Sequence, residues 1–121
     1  MWFEYSQNNS GGSFDIQPQY GIGPRVWIEA ASGEDADERA LNLGIYFDGC
    51  EKGYDCDCCG DRWYPQWGDS GEEYPEINSQ YDFNWHSEVY LHPLEGSFVA
   101  AGKDNYQEVL TRFIPVNLGH A

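Results

Sequence analysis

RVWIEAASGEDADERALNLG, residues 25–44, decides the fold class. In its first six residues Val26 and Ile28 alternate with Trp27 and Glu29, the period-two pattern of a strand with one face buried. The period then changes. Ser32 is suited to N-cap a helix with Asp35 three positions on, acids crowd the first turn where the helix dipole favours negative charge, and Gly44 is placed to end it. Ala36, Ala40 and Leu43 recur at helical spacing, a narrow apolar stripe of small residues that lets the helix lie close against a sheet. The acidic run on the same helix needs no function beyond a solvated face and dipole complementarity.

Outward from this unit the chain reads as hairpins. WFEYS (2–6) and SFDI (13–16) alternate on either side of QNNSGG, so an opening hairpin is expected with Phe3 and Tyr5 on one face. Residues 17–24 hold two prolines and two glycines and form a connecting loop, as do the polar residues 68–80. SEVYLH (87–92) and SFVAA (97–101) flank PLEG, the pattern of a second hairpin. In the tail, Tyr106, Val109, Leu110 and Phe113 keep helical spacing after a candidate Asn105 cap while VLTRFIPV (109–116) is also β-rich; a short helix is the favoured reading, followed by an extended end from Pro115. The expectation is an α+β fold: a small antiparallel sheet built from hairpins, one main helix packed on it, and a cysteine-rich, zinc-knuckle-like loop. A length of 121 residues suits a single domain, 1–121, with the cysteine-rich residues 48–67 as an insertion.

Twenty-one acidic residues against six Lys plus Arg give a net charge of −15. A field of that sign repels nucleic acid and anionic membrane and favours a protein partner with a basic surface. Aromatic residues make up 17% of the chain, which argues against a disordered acidic tail. No apolar run approaches the roughly 20 residues of a membrane span, and MWFEYSQNNS lacks the order of a secretory signal. A cytoplasmic protein follows, and in a reducing compartment clustered thiols more often bind metal than form disulfides.

All four cysteines lie in DGCEKGYDCDCCGDRWYPQW, residues 48–67. Cys56, Cys59 and Gly60 have the CxxCG form in which a tight turn converges two thiolates on one ion, zinc being the metal this chemistry suits. Cys50 can supply a third thiolate and His86 or His92 a fourth ligand, with Cys58 able to replace either; His120 is too near the end to matter. A Cys56–Cys59 or Cys50–Cys58 disulfide is the alternative in an oxidising compartment, while thiol redox chemistry is disfavoured because Asp55, Asp57 and Asp61 raise the thiol pKa. Calcium is excluded, since a loop begun at Asp55 places Cys59 where an oxygen ligand belongs and Gln66 where the bidentate Glu belongs. Arg62, Trp63 and Tyr64 adjoin the knuckle. Such residues either hold a small loop by ion pairing and stacking or face a partner, and they are the candidate partner-binding residues.

Nothing in the sequence pairs a nucleophile with a base, cradles a phosphate or forms HExxH, so no enzyme is expected. MWFEYSQNNSGGSF, the strand-to-helix segment ending in IYFDG, and DCDCCGDRWY together make the chain similar to a group of small proteins of tailed bacteriophages, over about the first two thirds of its length. The resemblance implies a biological setting and no mechanism. In that group the residue after the first knuckle cysteine is often proline where this chain has Asp57, and position 50 need not be cysteine, which shifts weight onto Cys56, Cys58 and Cys59. The expected function is a non-enzymatic, phage-encoded acidic protein with a structural zinc that binds a host or phage protein in the infected cell's cytoplasm, one version being nucleic-acid mimicry. The alternatives are a virion structural component and a small-ligand or nucleotide-binding protein with a pocket between sheet and helix.

Overall fold

A computed structural model describes residues 1–8, 13–78, 82–83 and 88–114. It contains β1 (Trp2–Ser6), a 3-10 turn (Pro18–Tyr20), β2 (Arg25–Glu29), α1 (Gly33–Leu43), β3 (Glu88–His92), β4 (Val99–Gly102) and α2 (Tyr106–Leu110). The fold is α+β, with a four-stranded sheet in the order β1-β2-β3-β4.

α1 forms where its capping residues place it. The Ser32 side chain accepts the Asp35 N–H at 3.1 Å, Glu34 and Asp35 occupy the first turn, and Gly44 ends the helix with φ +116°. Gly33 also meets a steric demand: a Cβ there would lie 2.1 Å from the Gly68 carbonyl oxygen, and its N–H donates to Asp69 Oδ1 at 2.9 Å. The start of the helix is thus clamped against the segment that follows the cysteine loop.

The second hairpin, β3 with β4, is antiparallel as the alternation around PLEG predicts. The opening hairpin differs. β1 pairs antiparallel with β2, Phe3 opposite Ile28 and Tyr5 opposite Val26, and residues 13–16 form no strand. The reason is local: the Gln7 side-chain amide takes the role of a strand, accepting from the Asp15 N–H and donating to the Asp15 carbonyl at 3.0 Å. β2 and β3 run parallel, Val26 opposite Tyr90, so the sheet is mixed where hairpins alone would make it antiparallel throughout. A parallel pair requires a long crossover, and here the chain between β2 and β3 carries α1 and the cysteine loop.

Both faces of the sheet are covered. On one, Phe3, Tyr5, Val26 and Ile28 pack against Ala36 and Ala40 of α1 and against Ile45, Phe47 and Trp63. On the other, Trp2, Trp27, Val89, Leu91 and Ala101 pack with Val109 of α2. β2 is therefore buried on both sides, with Trp27 only 3% exposed, and the one-sided alternation read from residues 25–30 understates its burial. Arg25 bonds Glu4 and the buried Asp82 and lies over the Trp27 ring. The β1 edge is shielded by reciprocal backbone bonds between Trp2 and Glu72, each 2.7 Å. α2 begins after Asn105 as the spacing predicts, although the Asn105 side chain accepts from the Gly102 N–H at 2.6 Å instead of capping the helix. The extended end from Pro115 lies outside the described residues.

Candidate metal centre

After α1 the chain enters the cysteine loop through Ile45 and Phe47, both buried, and turns at Asp48, whose φ of +57° is the left-handed conformation Asp tolerates. Within the loop Cys56 starts a tight turn: the N–H groups of Cys59 and Gly60 donate to its carbonyl at 3.1 and 3.2 Å. Gly60 leaves the turn with φ +85°, a conformation costly for a residue with a Cβ. This turn gathers Cys56, Cys58 and Cys59, all exposed, so that their sulfurs lie within 4.8 Å of one another. Cys58 Sγ and Cys59 Sγ are 3.6 Å apart. Thiolates about 2.3 Å from a tetrahedral ion stand about 3.8 Å from each other, so small side-chain rotations bring these three onto one metal.

The sequence places Cys56 and Cys59 at the centre of the knuckle, and the structure brings Cys58 to them. Cys50 lies outside the trio, its backbone N–H fixed to Asp61 Oδ1 at 2.9 Å and its thiol directed at the Cys56 carbonyl at 3.4 Å. His92 is elsewhere, buried on β3 with Nε2 2.8 Å from the Gly21 carbonyl. His86 falls outside the described residues. Among the described residues, then, the group of mutually close ligands is these three cysteines alone.

Electrostatics within the trio is uneven. Hydrogen bonding from Cys58 holds the Cys56 thiol below its ordinary pKa, while the same contact, with Cys59 and their charge, pushes Cys58 up to about 11. Cys50 is raised to about 11 by partial desolvation and then by the Asp61, Asp57 and Asp55 carboxylates. The Cys56 thiolate is thus the favoured one, and Cys58 gives up its proton when a cation displaces it, which is the ordinary linkage between metal binding and pH. His92 is shifted the other way. Burial lowers its pKa below 6.5, partly offset by the Gly21 bond.

A pH prediction follows from that histidine. The folded state favours neutral His92, so the unfolded chain binds the extra proton, and stability present above about pH 6.5 is lost as pH falls toward the depressed folded value. Urea unfolding between pH 7 and pH 5 is expected to show this decline, and His92→Phe to flatten it. An unchanged pH slope in that variant would remove His92 as the cause.

Arg62 takes the first of its two expected roles and holds the loop by pairing with a local Asp, while nothing in the sequence singles out its partners Asp55 and Tyr46 for that role. The Asp55 side chain is fully buried and accepts from the Tyr46 hydroxyl at 2.7 Å and the Arg62 N–H at 2.9 Å, with Arg62 Nε 3.7 Å away. Arg62 Nη1 donates to Gln7 Oε1 and the Ser13 carbonyl, both at 2.7 Å. Asn8 Nδ2 donates to the Cys59 carbonyl at 2.7 Å, which ties the knuckle to the end of β1. Of the three candidate partner-binding residues, Arg62 is spent on these internal bonds and Trp63 is core at 1% exposure. Tyr64 alone is exposed, in company with Tyr54 and Trp67, the last 91% exposed. A Gly-rich loop of cysteines and acids gives no hint of which carboxylate turns inward; Tyr46 and Asp55, nine residues apart, carry no recognised motif.

Fold and site together define a small α+β protein with an exposed three-cysteine knuckle stitched to its first strand. Residues 1–110 match a family described as a domain of unknown function, DUF7296, and the chain belongs to that family. No curated protein and no solved structure matches it. Among the described residues no helix is long and apolar enough to cross a membrane.

Proposed function

We propose that this chain is a phage-encoded, non-enzymatic protein that binds a host or phage protein through an acidic surface in the infected cell's cytoplasm, with a zinc ion on Cys56, Cys58 and Cys59 ordering the loop beside that surface. The observation that carries the reading is where the few cations go. Arg25 pairs with Glu4 and Asp82, Arg39 donates to the carbonyls of Glu29, His92 and Pro93, and Arg62 is committed to Asp55 and Gln7. Half of the six Lys and Arg are thereby turned to internal contacts, and the charge of −15 is concentrated on the outside. Such a surface attracts basic proteins out to about one Debye length, which grows from roughly 10 Å at 0.1 M salt to roughly 30 Å at 0.01 M, and fits the groove of a nucleic-acid-binding protein.

Affinity purification of tagged protein from an infected lysate tests this. A basic partner is expected, released as salt rises and displaced by nucleic acid; recovery of no basic partner, or affinity indifferent to salt, would sink the reading. The zinc is tested apart from the partner. About one zinc per chain is expected by elemental analysis, lost when Cys56, Cys58 and Cys59 are replaced by serine. Chelation should lower the melting temperature by less than a core substitution does, because neither hydrophobic cluster contains a cysteine. Metal-free protein with all thiols freely alkylated would end the zinc assignment.

A further inference from the structure

We infer that Cys50 is the fourth ligand of the metal centre, closing the three-cysteine knuckle into a four-thiolate site for a thiophilic divalent ion. This rests on the metal reading proposed above and names what completes it. A tetrahedral ion on three thiolates keeps one position, and the group that fills it decides what the ion can do. With water there the ion can activate or polarise a substrate; with a fourth thiolate it is structural only. Sulfur donors also select an ion of the zinc class over magnesium or calcium, which seek oxygen.

Cys50 already touches the turn. Its thiol donates at 3.4 Å to the Cys56 carbonyl oxygen, the same oxygen that accepts the N–H groups of Cys59 and Gly60 at the heart of the turn gathering the trio. An S–H donor gives only a weak bond, and one rotamer step about χ1 carries a cysteine sulfur through about 3 Å, so the thiol can leave that carbonyl for an ion on the trio while its backbone stays in place.

The backbone is where the fold fixes this ligand. The Cys50 N–H donates to Asp61 Oδ1 at 2.9 Å, and the Gly49 carbonyl accepts the N–H groups of Tyr54 and Asp55 at 2.8 and 3.1 Å. A Cβ on Gly49 would lie 1.8 Å from Asp55 Oδ2, so this glycine is what lets residue 50 come so close to the buried carboxylate that holds the loop. Residues 49 and 50 are thus tied to the chain on both sides of the turn, at 54–55 before it and at 61 after it. A ligand ordered in advance spares the ion the entropy of recruiting it. The knuckle supplies a second sign. The N–H groups of Cys58 and Cys59 also bond the Cys56 sulfur, the arrangement in which backbone donors spread the charge of a metal-bound thiolate.

The probe is cobalt(II), titrated without oxygen into the reduced full-length chain, because its absorption bands report how many thiolates surround a tetrahedral ion. The unaltered chain should take up about one cobalt with the spectrum of four thiolates. Cys50→Ala should still bind through the trio, with sulfur-to-cobalt charge-transfer intensity per bound ion lower by about a quarter, ligand-field bands moved to shorter wavelength, and affinity about tenfold weaker or more. Cys50 belongs to neither hydrophobic cluster, so the metal-free variant should melt with its parent, which separates a lost ligand from a damaged fold. A parent-like spectrum and affinity in Cys50→Ala, or the same losses found in His86→Ala instead, would overturn the assignment and leave the three-cysteine reading standing. Failure of the unaltered chain to bind cobalt would remove the metal reading itself, and Cys50's part with it.

Discussion

Trp63→Ala is expected to destabilise the protein by about 3–5 kcal/mol, the range for removing a large aromatic side chain from a core. The ring is 1% exposed and belongs to the cluster that joins Phe3 and Tyr5 of β1, Ala36 and Ala40 of α1, and Phe47. It is the point at which the cysteine loop enters the core. Nε1 has no acceptor among the described residues, so Trp63→Phe forfeits volume without breaking a hydrogen bond and should cost clearly less. Tyr64→Ala, at a neighbouring position 47% exposed, should stay within about 0.5 kcal/mol. Urea denaturation of the three variants checks the set. A Trp63→Ala protein as stable as its parent would mean the ring is not core and would return it to the binding surface.

A loss of similar size, about 3–5 kcal/mol, is expected for Asp55→Ala, for a different reason. The buried carboxylate faces the Arg62 guanidinium and accepts two further bonds, from the Tyr46 hydroxyl and the Arg62 N–H. Its removal leaves a largely buried cation and two unmet donors. Asp55→Asn keeps the shape but presents an amide with no negative charge, so it should recover only part of the loss. The two lesions are distinguishable. Trp63→Ala weakens the sheet's packing, whereas Asp55→Ala loosens the turn that gathers the thiols and should also weaken metal affinity in a chelator competition. Stability within about 0.5 kcal/mol of the parent, with unchanged metal affinity, would show that Asp55 does not hold the loop.

The parts legible in the sequence were those whose signals are local. Ser32, Asp35 and Gly44 mark α1 because capping is a matter of a few adjacent backbone groups, and the β3–β4 hairpin announces itself through Pro93 and Gly96 between alternating runs. The parallel β2–β3 pairing leaves no such trace, since its ladder joins Val26 to Tyr90, residues far apart in sequence with no single turn between them to mark the register. SFDI has the composition of a strand, yet Gln7 satisfies its backbone from a side chain, a contact that no periodicity encodes. In the candidate site, the CxxC spacing located the turn, but which third thiol joins it depends on how residues 56–60 curl, and Cys58 rather than Cys50 points the right way. Arg62 and Trp63 have the chemistry of an interface and the location of a core. Composition cannot separate those two, because the same stacking and forked hydrogen bonding serve both.

The mixed sheet also sets an order of events in folding. β1 with β2 and β3 with β4 are each antiparallel and comparatively close in sequence, but the central pair must close the whole crossover before its bonds form, and such closure entropy slows the rate-limiting step. Substitutions at the β2–β3 seam, such as Val26→Ala, should therefore retard refolding. Those in the knuckle, which is tethered from outside the sheet by Asn8 and Arg62, should mainly hasten unfolding. A metal on the three cysteines would then act as a latch on a finished structure, prolonging its lifetime without guiding its assembly.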